Sequence, residues 1–280
     1  MSTAPVLDHH CHLDVDRGMG LDAVDRFVAA GGTHLIIINK PSWHLGPLPT
    51  DAAAFEAVFA RTIAIVAAAA DRLPGTAWGC LGVHPACISR LVDDGGLSAE
   101  AAAELMCAGL DRAVAHVGSD RIIGIKSGRP HYPVDAAVWD ASNAVLQHAL
   151  SLAAAAGCAI QLHTEAADAL DEIAAVARAV GQPPERVVKH FAGGDFAGAL
   201  TPSVISRRDE LTRACERGIP FLMETDFIDD PDRPGAVLGL RTVPRRVRWL
   251  TAAGHAEAMH TAHVRLPAAV YGVDTVGTLS

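Results

Sequence analysis

Residues 6–16, VLDHHCHLDVD, place three histidines, one cysteine and three aspartates in eleven positions. Imidazole nitrogens and carboxylate oxygens are common ligands for divalent transition metals, and a thiolate is a softer one. In a β-strand such a stretch would alternate its side chains between two faces. Asp8, His10 and His12 would then share one side, with His9 and Cys11 turned towards a covering layer. Two imidazoles at i and i+2 on a rigid strand can meet one ion. A lone histidine at a strand end is usually structural, but ligand-type residues recur at comparable places along the chain. His163 closes AIQLH, His190 lies in RVVKHFAGG, and Asp226 closes PFLMETD.

These residues need a scaffold that gathers distant strand ends. Apolar runs at 5–10, 33–39, 76–84, 121–126, 158–163, 186–190, 198–204 and 220–226 read as strands. Most are nearly continuous, as expected of parallel strands covered on both faces. Helical runs at 21–30, 52–70, 101–117, 135–156, 165–180, 208–217 and 244–253 lie among them. Eight strands alternating with helices predict an α/β fold, a (β/α)8 TIM barrel, whose strand C-termini converge on one mouth. A doubly wound open sheet is the competitor, but no glycine-rich phosphate loop follows the first strand. No linker or short repeat divides the chain, so residues 1–280 read as one domain. The Asp-, Pro- and Arg-rich segment 227–246 reads as a long loop at the mouth, beyond the eighth strand. His255, His260 and His263 fall in later helical stretches and carry no expected function.

Composition narrows the partners. Half of the 280 residues are hydrophobic and a fifth are charged, which disfavours wholesale disorder. The net charge of −9 and the lack of a basic stripe argue against a dedicated nucleic-acid or anionic-membrane binder. The nearly apolar run 149–160 is too short to span a bilayer, and the N-terminus shows no secretory pattern. Six scattered cysteines without paired spacing suit reduced thiols and a cytoplasmic protein, and a homo-oligomer is compatible with all of this.

Taken together, DHHCHLD at 8–14, GVHP at 82–85, KHFAG at 189–193, ETD at 224–226 and AAVYGV at 268–273 resemble the TatD-related metal-dependent hydrolases of the amidohydrolase superfamily. The resemblance runs over most of the chain. It implies that His10, His12, His163, His190 and Asp226 are metal ligands. The fourth strand departs from the pattern: TatD-type enzymes place a metal-bridging glutamate there, whereas IIGIKSGRPHYPV puts Lys126 in its place. A protonated amine beside cations would be repelled. The phosphotriesterase-like branch offers an alternative, a lysine carboxylated by carbon dioxide to an anionic carbamate that bridges two ions. The chain has only three lysines, Lys40, Lys126 and Lys189, against twenty arginines, and each lies at or near a predicted strand end. Such positions suit an amine whose proton can be removed.

The expected chemistry is hydrolysis by metal-activated water on one or two divalent ions, with Asp226 accepting or relaying the proton and Lys126 bridging. Zinc fits the nitrogen-rich set best; manganese, cobalt, nickel and iron are the alternatives. His84, Trp43, His44, Arg129, His131 and Tyr132 are the candidate substrate contacts. A small-molecule ester, lactone, amide or phosphoester is the favoured substrate. A TatD-type deoxyribonuclease or phosphodiesterase, and a non-hydrolytic metal-binding barrel, are the other two readings.

Overall fold

The computed structural model describes residues 4–232 and 237–279. Strand and helix alternate as β1 (Leu7–His12), α1 (Leu21–Ala29), β2 (His34–Ile38), α2 (Ala53–Ala70), β3 (Ala77–Gly82), α3 (Cys87–Asp93) and α4 (Ala99–Ala115). The order continues with β4 (Ile122–Gly128), α5 (Ala136–Ala156), β5 (Ala159–His163), α6 (Asp171–Ala179), β6 (Val187–Ala192), β7 (Thr201–Ile205) and α7 (Arg208–Glu216). It ends with β8 (Leu222–Glu224), β9 (Phe227–Ile228), α8 (Thr242–Ala252), α9 (Ala256–His260), a π-turn (Thr261–Arg265) and α10 (Leu266–Tyr271).

All strand pairings are parallel, in the order β8-β7-β6-β5-β4-β3-β2-β1-β9. β9 follows β8 after only Thr225 and Asp226, so its pairing with β1 closes the sheet into the expected barrel. At that seam side chains complete the ladder. Asp8 accepts from the Thr225 backbone N–H (3.1 Å) and hydroxyl (2.6 Å), and Asp226 N–H donates to the His10 carbonyl (3.0 Å).

The barrel interior is packed by Leu7, Ile36, Ile38, Cys80, Val188 and Leu222, joined by Val270, Tyr271 and Val273 from the chain's last turns. The helical layer packs outside. In α5, buried Val138, Ser142, Val145, Leu146, Ala149, Leu150 and Ala153 form one helical stripe, and Gly157 ends the helix at φ +60°. By length and composition α2 could span a membrane, yet it packs on β3 and α4 with Phe55, Val58, Phe59, Ile65 and Val66 buried. The six cysteines are unpaired.

Each predicted strand overlaps an observed one, but several boundaries move, with β1, β4, β6 and β7 running past their predicted ends. The predicted helix at 165–180 begins only at Asp171, because residues 165–170 form a loop at the barrel mouth. The segment 227–246 is not all loop: Phe227–Ile228 pair as β9, and α8 starts at Thr242. Residues 233–236 of that segment lie outside the described residues. The short helix α3 has no counterpart among the predicted elements.

Candidate active site

The first strand does not alternate simply. Asp8 is in register with Leu35 and Cys11 with Ile37, so three steps on β1 oppose two on β2. This β-bulge adds one residue and re-aims the side chains beyond it. Asp8 turns to Thr225, while His9 and His10 both enter the barrel. Cys11 packs outward with Val24 and Phe27. The expectation that His9 faces the helices, and that Asp8 shares a face with His10, is therefore corrected: His9 Nε2 lies 2.6 Å from Tyr271 Oη inside the barrel.

Above the bulge, imidazoles crowd one carboxylate. His10 Nε2 and His12 Nε2 are 3.2 Å apart. They lie 3.8 and 3.7 Å from Asp226 Oδ1, and His190 Nε2 is also 3.8 Å from that oxygen. His10 and His190 stack with ring centroids 3.6 Å apart. Their other nitrogens are engaged from behind. His10 Nδ1 faces Gln161 Oε1 (2.5 Å), His12 Nδ1 faces the Ile38 carbonyl (2.9 Å), and His190 Nδ1 lies 2.8 Å from Glu224 Oε1. For His10 and His12 an acceptor at Nδ1 favours the proton there and turns the Nε2 lone pair towards the site, whereas His190 Nδ1 lies near Glu224 without hydrogen-bond geometry. Burial keeps the rings neutral, lowering His10 and His190 well below the usual histidine range and His12 to about 3. Three neutral imidazole Nε2 atoms gathered around one carboxylate oxygen form a donor set that fits a divalent metal. His10, His12 and Asp226 bring ligand atoms within 4.8 Å of one another, as do His10, His190 and Glu224.

Two local backbone features place the outer members of this set. Asp226 adopts φ +48°, a left-handed conformation that only a few non-glycine residues tolerate, at the break between β8 and β9. On β6, Lys189 pairs with Pro202 and Ala192 with Val204, a second bulge in which Phe191 adopts φ +55°. This leaves His190 buried inside the barrel and Phe191 at the rim, more than a third exposed.

The three lysines differ. Lys126 is buried on β4, its Nζ 3.0 Å from His10 Nε2. Gly128, two residues on, has φ +153°, and a Cβ there would collide with the His163 carbonyl, so glycine lets β4 lie against β5 at its end. Burial lowers both the Lys126 and Lys189 amines to about 8. Lys40 instead makes an ion pair with Asp14 (2.8 Å) and donates to the Asp229 carbonyl (3.1 Å).

A cavity of about 600 Å³ opens above these groups. Its lining includes His12, Lys126, His163, Lys189, His190 and Asp226, together with the expected contacts Trp43, His44, His84 and His131. Trp43 meets His84 edge-on at 5.6 Å. His163 is drawn towards the rim, its Nε2 2.9 Å from Nδ1 of exposed His131. Arg129 and Tyr132 do not line this cavity. Arg129 is consumed by Glu165 and Glu172 and stacks over Trp139, and the Tyr132 hydroxyl pairs with Ser89 (2.9 Å). Gln161 was missed in the sequence, although strand alternation puts it on the same face as His163, two residues away.

A model of the TatD-related DNases matches residues 7–269. The chain belongs to that family. With this membership it is a metal-dependent hydrolase. An uncharacterized protein of Methanocaldococcus jannaschii is 36% identical over 286 residues, covering 98% of each chain. Among solved structures, a TatD homologue of Escherichia coli K12 superposes with TM-score 0.64 at 17% identity, covering 96% of this chain and 98% of that one. An organophosphorus hydrolase of Deinococcus radiodurans superposes with TM-score 0.58 at 14% identity, covering 95% and 92%. Both structural likenesses bear on the fold.

Proposed function

We propose that this hydrolase acts on a small molecule, cleaving an ester, lactone, amide or phosphoester bond at the barrel mouth. The observation that carries the reading is the convergence of three imidazole Nε2 atoms on Asp226 Oδ1 at 3.7–3.8 Å, beneath a cavity of about 600 Å³. His10, His12 and Asp226 would hold one divalent ion, with zinc the best match to the nitrogen-rich set. His163 and His190 would hold a second. A bound ion supplies activation of water and polarisation of the scissile group. Asp226, the carboxylate beside the water position, takes the proton and passes it to the leaving group.

As a carbamate, Lys126 would supply an anionic oxygen ligand to the metal site. The lone pair of its neutral amine adds to the carbon of carbon dioxide. An N–C bond forms, one C=O electron pair moves to oxygen as negative charge, and the amine proton leaves to solvent. Burial supports this step by lowering the amine to about 8, which gives a larger neutral fraction near pH 7 than an exposed lysine has.

The nuclease reading has the family's own description in its favour. Against it stand the net charge of −9 and the cavity's lining, in which, among the described residues, the one arginine, Arg90, is tied to Asp94 at 3.0 Å. The test is metal analysis together with turnover on a mixed panel of esters, lactones, amides and phosphoesters beside single-stranded DNA. The expected result is at least one transition metal per chain and faster turnover of a small molecule. Efficient DNA cleavage that weakens steeply with salt would establish the nuclease instead. Metal without turnover would leave a binding protein.

A further inference from the structure

Lys189 is 2% exposed, yet it lines the cavity. Its Nζ donates to the Thr164 carbonyl (3.3 Å) and the His190 carbonyl (2.7 Å), which occupies two of its three protons. Among the described residues no carboxylate forms an ion pair with it. The two acids near enough to act on its charge are Glu224, whose Oε1 lies at His190 Nδ1 (2.8 Å) and accepts from the Phe191 N–H (2.9 Å), and Glu165, whose carboxylate oxygens are both held by Arg129; neither reaches the amine directly. A buried ammonium without a counter-ion is costly and calls for an anion. A second observation lies next to it: Thr164 also lines the cavity, and its buried hydroxyl has no hydrogen-bond partner. Buried polar groups left unsatisfied in this way are uncommon.

We infer that Lys189 and Thr164 form an oxyanion seat within the substrate cavity, so that the substrate carries a terminal carboxylate or phosphoryl group apart from its scissile bond. The ammonium supplies charge and one N–H, and the threonine hydroxyl supplies a second donor. The seat is recessed in the cavity, which suits the end of a small molecule better than the backbone of a polymer. Trp43, Phe191 and Ile228 add apolar lining to the same cavity and accept the rest of such a molecule. This inference rests on the reading of the cavity as a substrate site.

The test measures binding by calorimetry to the metal-loaded protein, with three probes of one shape: phenylacetate, phenylphosphonate and neutral phenylacetamide. Lys189→Met removes the charge and the donors. Lys189→Gln removes the charge and keeps N–H groups for the two carbonyls, so the seat stays testable if the first variant does not fold. Lys189→Arg restores the charge. Metal content of each variant is measured alongside. At least one anion is expected to bind the wild type and Lys189→Arg about 10-fold or more tightly than the uncharged variants. Thr164→Val should weaken the same anion a few-fold, and the amide should not distinguish the variants. Whichever anion responds names the headgroup. Equal anion affinity across wild type, Lys189→Met and Lys189→Gln overturns the seat, even if the hydrolysis panel succeeds. An inert hydrolysis panel with Lys189-dependent anion binding overturns the hydrolytic reading and leaves the seat standing.

Discussion

The two sides of the barrel mouth are built differently. On the β1–β8 side, extended by His190 of β6, His10 and His190 are essentially buried and are backed by Gln161 and Glu224, while the Ile38 carbonyl backs His12. Behind them Gln161 Nε2 reaches Tyr271 Oη (2.9 Å), so the support runs down to the chain's last helix. On the β4–β5 side, His163 leans on exposed His131, and the nearby Arg129 is locked into a cluster with Glu165 and Glu172. One side is held by the core, the other by its loops. Preorganised ligands lose little freedom when they bind, so the β1–β8 side should dominate metal capture.

The largest test of that contrast compares His10→Ala or His12→Ala with His131→Ala. The first two should lose bound metal and turnover to background, by elemental analysis and initial rates. His131→Ala should keep most of the metal, and equal losses on both sides would break the comparison. Next in size, Lys126→Ala should lose most turnover, and Lys126→Glu should retain more metal because it restores a carboxylate between the two sides. An unmodified Lys126 mass in fully active, metal-loaded protein would refute the carbamate. Gln161→Leu should then cost about 10–100-fold in metal affinity or activity, the usual effect of removing a partner behind a ligating imidazole. If its effect matches that of a surface control, the support from below has no functional weight.

The smallest effect concerns a histidine outside both sides. Buried His263 accepts from the Leu7 N–H (3.1 Å), and burial lowers it from 6.5 to about 3. The unfolded chain therefore takes up a proton below about pH 6.5 that the folded chain does not. Its contribution to stability is complete above that pH and declines as the pH falls towards 3. Relative to wild type, His263→Gln should remove up to ~1.4 kcal/mol per pH unit of this slope, read from denaturant melts between pH 4 and 6.5. An unchanged slope would show that another group sets it.

Much of the fold was legible because it rests on repetition. Apolar runs such as HLIII recur between Ala-rich helices, and this alternation has few solutions apart from a barrel or an open sheet. His10, His12, His190 and Asp226 were legible as a set because ligand-type residues at several strand ends meet only if the sheet closes. Other features were not. Strand periodicity placed His9 outside, since a bulge leaves no mark in a pattern of two. The helix expected at 165–180 started late because its first residues have helix-compatible types but are held in a loop, where Glu165 meets Arg129.

By itself the sequence determined the barrel, the residue types at its mouth and the lysine on the fourth strand. Those follow from local periodicity and side-chain chemistry, which each short segment carries within it. Tertiary structure alone decided which cations remain available. Arg129 looked suited to an anion, but two glutamates from β5 onwards neutralise it, while the hydrogen bonds of Lys189 among the described residues go to carbonyls. Charge compensation depends on neighbours 36 and 43 residues away in the chain, and no local pattern records them.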